Sequence, residues 1–252
     1  MLDAILWGLV QGLTEFLPIS SSGHLVLVPA LLGRPGPDLA TSAMLHLGTL
    51  AAVVAYFRRD LLRIVRLDPT GRRTGALVLL GTVPAAVAGL TLEASLEVLN
   101  DRPRIVAAML VVTGIVLVAS TRLRRGDRDV DELGASDALV VGAAQALALV
   151  PGVSRSGATI VAGLVRGLSR VEAARWAFLL GIPAIAGAGL FEGLELLRGG
   201  GGISAATLVG VVVAGVSGYA AIALLLRVLA TRGLLPFGLY CLAAGSLALV
   251  VL

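Results

Sequence analysis

Two short polar segments interrupt an otherwise apolar chain, and both carry side chains suited to phosphoryl chemistry. The first reads QGLTEFLPISSSGH over residues 11–24, and the second reads QALALVPGVSRSGA over residues 145–158. The first contributes the carboxylate of Glu15 and the imidazole of His24, and the second contributes the guanidinium of Arg155. A planar guanidinium binds phosphate through two parallel hydrogen bonds. Together these groups could hold a phosphate and activate a nucleophile.

The two polar segments also match each other, which indicates an internal duplication. The pairs at one constant spacing are Gln11 with Gln145, Ser20 with Ser154, Ser22 with Ser156 and Gly23 with Gly157. Shorter matches join residues 47–52 to 180–185 and residues 109–114 to 240–245. We therefore predict one membrane domain over 1–252, with repeat halves at about 1–121 and 136–252 joined by the polar loop 122–135.

The composition is that of an integral membrane protein. Hydrophobic residues make up 57% of the chain and charged residues only 14%, and the mean hydropathy is +0.96. A helix needs about 20 apolar residues to cross a bilayer. The apolar runs near that length are 40–57, 75–93, 104–121, 172–192, 204–226 and 235–252.

The basic residues do not indicate a nucleic-acid-binding protein. The net charge is +4, and every basic residue is arginine. The arginines concentrate in loops at about 58–74, 122–135, 167–171 and 227–234, as expected for cytoplasmic loops. Cys241 is the single cysteine, which excludes an intrachain disulfide.

Two further apolar stretches, 2–32 and 136–167, are interrupted by proline, glycine and serine. Non-helical backbone survives at membrane depth only where protein or a water-filled cavity satisfies it. If each stretch enters and leaves on one side, three crossings remain per half, and the second half is inverted. The sequence thus predicts an all-α membrane protein of two inverted-topology repeats, each a re-entrant helical hairpin plus three transmembrane helices.

Glu15 and Arg155 are the strongest candidates, because ionisable groups at membrane depth are costly and usually functional. A structural ion pair between them is the alternative. Gln11 lies one helical turn before Glu15, so both can face one cavity. A carboxylate beside phosphates suits Mg²⁺ or Ca²⁺, which makes Glu15 a metal-ligand candidate, with Gln11 as a second.

The serine run from Ser20 to Ser22, followed by His24, offers a nucleophile near an acid or base. Serines at such positions also act as helix caps. His46 has no polar neighbours in sequence, and we expect it to be structural or to support another site residue.

The motifs QGLTEFLPISSSGH and PGVSRSGAT resemble those of the undecaprenyl-diphosphatase family, and the resemblance extends over the whole chain. It implies a bacterial inner-membrane enzyme that dephosphorylates undecaprenyl diphosphate, recycles the cell-wall lipid carrier and confers bacitracin resistance. It also implies a divalent cation, an active site open to the periplasm and a homodimer. Gln11 departs from the pattern, because many relatives have glutamate there.

The resemblance implies a catalytic group of Glu15, Ser21, His24 and Arg155. The substrate-binding residues that we predict are Gln11, Ser20, Ser22, Ser154, Ser156 and Thr159. Either Ser21, His24 or a water molecule would attack the terminal phosphorus. The sequence leaves that choice open.

Two other functions compete with the lipid diphosphatase. A polyprenyl-phosphate flippase or transporter would also use inverted repeats with broken helices. A phosphatidic-acid-type phosphatase would share serine, glycine, histidine and arginine motifs, but the chain has no lysine for that family's first motif.

Overall fold

The computed structural model describes residues 1–198 and 204–252, and this part of the chain is helical, without a β-strand. The α-helices of the described residues are α1 (Leu2–Phe16), α2 (Ser21–Leu32), α3 (Leu39–Tyr56), α4 (Arg58–Val65), α5 (Pro69–Glu97), α6 (Pro103–Ala119), α7 (Ala135–Leu147), α8 (Arg155–Val165), α9 (Arg170–Arg198), α10 (Ala205–Thr231) and α11 (Leu235–Val251). The predicted all-α class is therefore confirmed.

All six predicted apolar runs form helices, and four of these are long and apolar enough to cross a membrane. Among the described residues, these spans are Pro69–Leu92 in α5, Pro103–Arg122, which extends past the end of α6, Arg170–Gly189 in α9 and Ala205–Thr231, which is α10. Helices α3 and α11 have 18 and 17 residues, and at 1.5 Å per residue they are slightly shorter than the roughly 30 Å hydrocarbon layer.

Both broken apolar stretches form the helix–break–helix pairs that the sequence predicts. The first pair is α1 and α2, separated by residues 17–20, and the second is α7 and α8, separated by residues 148–154. Two residues in these breaks have a positive φ: Ser20 at 68° and Gly152 at 92°. At Gly152, a Cβ atom would lie 2.3 Å from the carbonyl oxygen of Val106, so only glycine fits without movement of the backbone.

The predicted polar loop 58–74 is more ordered than we expected. Residues Arg58–Val65 form the short helix α4, and α5 already begins at Pro69. Asp68 caps α5 by accepting a 2.7 Å hydrogen bond from the Gly71 amide, and proline fits the first helical position because its missing N–H is not needed there.

Helices of the two predicted halves interleave. Helix α1 packs against α10, α7 packs against α5, and α6 packs against α11. Glycines allow these close approaches: an added Cβ at Gly142 of α7 would lie 2.1 Å from the carbonyl oxygen of Gly81 in α5. Small residues serve this purpose commonly in membrane proteins, because they let helix backbones come close together.

We expect Gly142→Ala to lower the thermal stability of the protein clearly. The new methyl group would force α7 away from α5, and overpacking of this kind typically costs about 1–3 kcal/mol. Gly89→Ala in α5 is the matched control, because no atom lies within 4 Å of an added Cβ there. The melting temperatures of the detergent-solubilised variants measure the difference. Equal melting temperatures would contradict the close crossing.

Candidate active site

The two helical breaks contact each other directly. The Ser156 hydroxyl donates a 3.1 Å hydrogen bond to the carbonyl of Leu17, and the Ser20 hydroxyl donates a 3.4 Å bond to the carbonyl of Val153. The bond between Ser20 and Val153 joins the two breaks directly. The bond between Ser156 and Leu17 joins α8 to the first break. Residues distant in sequence are thereby brought into one site.

The carboxylate of Glu15 lies at the centre of this site. Its Oε1 accepts a 2.7 Å charge-assisted hydrogen bond from Arg155 Nη2. Its Oε2 accepts a 2.6 Å bond from the Ser21 hydroxyl and a 3.1 Å bond from the Gln11 amide. The Glu15 side chain is only 6% exposed and that of Arg155 18% exposed. The predicted approach of Arg155 to Glu15 is thus confirmed.

A cavity of about 230 Å³ adjoins this ion pair. It has room for several water molecules, whose share of liquid volume is about 30 Å³ each. Its lining residues are Thr14, Glu15, Ser20, Ser21, Ser22, His46, Ala148, Leu149, Val153, Ser154, Arg155, Ala184, Ile185 and Ala188. The cavity therefore has a polar side made by the two hairpins and a largely apolar side from α9.

The N-termini of two helices lie at the cavity, because α2 begins at Ser21 and α8 begins at Arg155. The preceding serines cap them: Ser20 accepts a hydrogen bond from the Gly23 amide, and Ser154 accepts one from the Gly157 amide. The positive ends of the two helix dipoles thus lie beside the cavity, where an anion is favoured.

Thr113 of α6 fixes the conformation of the second break, a role that the sequence did not reveal. Its hydroxyl donates a 3.0 Å bond to the Gly152 carbonyl and accepts a 3.2 Å bond from the Ser154 amide. The residue is buried. It therefore holds the backbone directly before Arg155 in place.

If the site has the phosphatase activity that the resemblance implies, we expect Thr113→Val to reduce that activity about tenfold and to lower stability. The valine leaves the buried amide of Ser154 without its partner, which costs about 1–3 kcal/mol, and frees the turn that carries Arg155. Thr113→Ser keeps the hydroxyl and should retain most of the activity. Turnover of isoprenyl diphosphate by the purified variants, with their melting temperatures, measures both effects. Equal rates for the serine and valine variants would contradict this role.

His24 does not line the cavity. Its Nδ1 lies 2.8 Å from the carbonyl oxygen of Ser20, which can only accept, so Nδ1 donates. In the neutral ring, Nε2 then accepts from the hydroxyl of Tyr240 in α11, 2.7 Å away. The predicted acid–base role of His24 stays a prediction, and in this structure the ring connects the first break to α11.

The structure divides the predicted substrate-binding residues into two groups. Ser20, Ser22 and Ser154 line the cavity. Gln11, Ser156 and Thr159 are buried behind it. The Thr159 hydroxyl donates a 2.7 Å bond to the carbonyl of Arg155, so it supports the backbone of the arginine.

His46 lines the cavity, although its neighbours in sequence are apolar. It projects from α3 and lines the same cavity as Glu15. The local sequence did not predict that His46 lines the cavity, because its location depends on the packing of α3 beside the hairpins.

The side-chain oxygen atoms of Glu15 and Gln11 are of the chemical type that binds Mg²⁺ or Ca²⁺. Among the described residues no group of three histidine, cysteine, aspartate or glutamate side chains is arranged to hold a metal ion. Gln11 donates its amide to Glu15, however, and its buried Oε1 has no hydrogen-bond partner among the residues that the structure describes. One carboxylate and one amide oxygen fit the mode in which Mg²⁺ binds few protein ligands together with substrate phosphates.

Comparison with known proteins decides the family. Residues 4–247 match the family described as "Bacitracin resistance protein BacA". The chain belongs to this family. Similar proteins named undecaprenyl-diphosphatase occur in Trichlorobacter lovleyi, with 45% identity over 97% of this chain and 94% of the relative, and in Myxococcus xanthus, with 45% identity over 100% and 89%. One from Kineococcus radiotolerans is 46% identical over 94% of this chain and 88% of the relative.

Proposed function

We propose that this membrane protein hydrolyses undecaprenyl diphosphate to undecaprenyl phosphate and inorganic phosphate. The reaction recycles the lipid carrier of cell-wall synthesis and thereby confers bacitracin resistance. The supporting observation is the contact of Arg155 with Glu15, which also accepts from Ser21, at the edge of one cavity. The names of the relatives agree with this assignment.

Arg155 binds the diphosphate through its guanidinium. Its Nη2 donates to Glu15, and the more highly charged phosphates would compete for the same donors. When Arg155 turns to the phosphates, it stabilises the charge that develops on the transferred phosphoryl group. The N-termini of α2 and α8 add positive potential at the same place.

Ser21 is the nucleophile that the geometry favours. Its hydroxyl already donates to Glu15 Oε2 at 2.6 Å, so the carboxylate can take the proton as the oxygen attacks the terminal phosphorus. The bond between that phosphorus and the bridging oxygen breaks, and the lipid monophosphate leaves. Water then cleaves the phosphoserine, and Ser21 regains its proton.

Glu15 and Gln11 would hold the divalent cation, Mg²⁺ or Ca²⁺, together with the substrate phosphates. When bound, such an ion neutralises phosphate charge and orients the leaving group. Gln11 supports this proposal through its buried Oε1, which has no partner among the described residues.

The proposed setting is the bacterial inner membrane, with the cavity open to the periplasm. The isoprenyl tail would lie between the helices, whose outward faces carry exposed aliphatic side chains. Two inverted repeats are supported by the paired packing of α1 with α10 and of α7 with α5. We propose a homodimer on the basis of the family resemblance alone.

The transporter alternative is not favoured, because the relatives are named as diphosphatases. The competing functions differ in one measurable property. An enzyme releases phosphate in detergent, where transport across a membrane has no meaning.

The test is phosphate release from undecaprenyl diphosphate by the purified protein with Mg²⁺ or Ca²⁺, followed by two rapid quenches to capture a phospho-enzyme: one in acid, which preserves phosphoserine, and one in alkali, which preserves the acid-labile phosphohistidine. We expect release that a chelator abolishes, and a phosphate label on the peptide containing Ser21. A label on His24 would overturn the choice of nucleophile. No phosphate release from a folded protein with either cation would overturn the function.

A further inference from the structure

We propose that Tyr240 of α11 is a positioning residue for the reaction. Through His24 it holds the first break in the conformation that presents the Ser21 hydroxyl to the phosphorus. This inference rests on the proposed function and adds a residue to it. Three observations carry it: the contacts of the two rings, the backbone conformation of Ser20 and the difference between the two repeats.

The contacts of the two rings are the first observation. His24 Nδ1 donates a 2.8 Å hydrogen bond to the carbonyl oxygen of Ser20, and Nε2 of the neutral ring accepts a 2.7 Å bond from the Tyr240 hydroxyl. The ring planes are within 10° of parallel, with their centroids 5.7 Å apart. The imidazole therefore links α11 to the residue that directly precedes Ser21.

The buried neighbour of Tyr240 contacts the same break. The Cys241 thiol donates a 3.7 Å hydrogen bond to the carbonyl oxygen of Pro18, and the Cys241 side chain is fully buried. Two consecutive residues of α11 thus meet two points of the break, which fixes the place of Tyr240 although its own side chain is 46% exposed.

The backbone of Ser20 is the second observation. Its φ is 68°, a conformation that residues other than glycine rarely adopt and that persists only where the surroundings hold it. Its carbonyl accepts from the His24 ring and, at 3.1 Å, from the His24 amide. Ser21 follows directly and donates to Glu15. A change in the Ser20 backbone therefore moves the Ser21 hydroxyl relative to the carboxylate.

The third observation is that both repeats hold a break against a helix, but with different side chains. The match of residues 109–114 with 240–245 pairs α6 with α11. Helix α6 holds the second break through the hydrogen bond of Thr113 to Gly152, and an added Cβ at Gly152 would lie 2.8 Å from the Cβ of Met109. Each break thus contacts the last helix of the other predicted half.

The hydrogen-bonded pair of rings occurs at the break that carries Ser21. At the repeat spacings, Tyr240 corresponds to Met109 and His24 corresponds to Ala158, and these two side chains cannot form such a pair. Packing of a helix against a break therefore does not require the two rings. Their presence beside Ser21 supports a role in positioning the nucleophile.

The first test is steady-state kinetics of Tyr240→Phe on undecaprenyl diphosphate. The variant keeps the ring and loses the hydroxyl, so we expect kcat to fall about tenfold, less than the roughly 100-fold that a 1 Å misplacement can cost. KM should stay within about twofold, because neither ring lines the cavity, and the melting temperature should change little. Tyr219→Phe in α10, where the tyrosine is 43% exposed, is the matched control and should behave as the unsubstituted protein.

A double substitution shows whether Tyr240 acts through the imidazole. If it does, His24→Ala combined with Tyr240→Phe has the same kcat as His24→Ala alone, because the link is already broken. Losses that multiply in the double variant would overturn the proposal. So would a folded Tyr240→Phe variant whose kcat stays within twofold, or whose KM alone changes.

NMR spectroscopy of protein with isotopically labelled histidine tests the contact without an activity measurement. The chain has two histidines, so the imidazole nitrogen signals are few. We expect Tyr240→Phe to shift the Nε2 signal of one histidine and Tyr219→Phe to shift neither. Unchanged signals in the Tyr240 variant would overturn the proposal. If the unsubstituted protein releases no phosphate, the proposed function fails instead, so the two failures are distinguishable.

Discussion

Replacing Arg155 by alanine is expected to lower kcat/KM for undecaprenyl diphosphate about 1,000-fold. The substitution removes the guanidinium that binds the phosphates, and loss of one preorganised donor to a developing charge typically costs about 10²–10³ in rate. Phosphate release by the purified variant at several substrate concentrations measures the effect. Arg124→Ala, at an exposed position of the loop 122–135, is the matched control and should behave as the unsubstituted protein.

The alanine variant also leaves Glu15 as a buried carboxylate without the guanidinium that balances its charge. Removing one partner of a buried ion pair typically costs about 3–5 kcal/mol, so its melting temperature must be measured alongside the rate. Arg155→Lys separates the two effects, because it keeps a positive charge but cannot form the paired hydrogen bonds of a guanidinium. We expect it to fold well and to lose about 10- to 100-fold in kcat/KM. Full activity of a folded alanine variant would refute the phosphate-binding role.

Replacing Glu15 by glutamine is expected to lower kcat about 1,000-fold. The amide has nearly the same shape and can still accept from Ser21, but it cannot take the serine's proton or hold a divalent cation strongly. General acid–base groups typically contribute about 10²–10⁴ in rate. The measurement is kcat over a series of Mg²⁺ and Ca²⁺ concentrations, with Glu132→Gln on the exposed loop as the control.

The result of the Glu15 substitution also distinguishes the catalytic proposal from the structural alternative. If the carboxylate served only as the partner of Arg155, the glutamine variant would lose stability but would keep kcat within a few fold. From a catalytic carboxylate we expect kcat and the response to added cation to fall together, and by far more than any change in melting temperature accounts for.

The ion pair between Arg155 and Glu15 is compatible with the proposed binding of phosphate by Arg155. The pair lies at the edge of a cavity, and the exposed fraction of Arg155 is three times that of Glu15, 18% against 6%. The arginine can therefore exchange the carboxylate for a phosphate without crossing an apolar barrier.

The sequence by itself determined the helical class, the apolar runs and the two broken hairpins. These features depend on local chemistry: long apolar runs require helices in a bilayer, and proline, glycine and serine interrupt them. It also predicted that Glu15 and Arg155 belong to one site, because ionisable groups in such a chain need partners, and the family resemblance added Ser21. The matched polar segments indicated which partners were available.

Only the tertiary structure decided the places of the two histidines. The spacing of His24 after the serines suggested a catalytic group. The packing of α11, however, places the Tyr240 hydroxyl within hydrogen-bond distance of His24 Nε2. His46 has apolar neighbours in sequence, and only the packing of α3 beside the hairpins brings it to the cavity. Thr113 likewise meets the second break across 39 positions of sequence. Contacts between helices far apart in the chain leave no periodic pattern in either one, so no local reading of residues can reveal them.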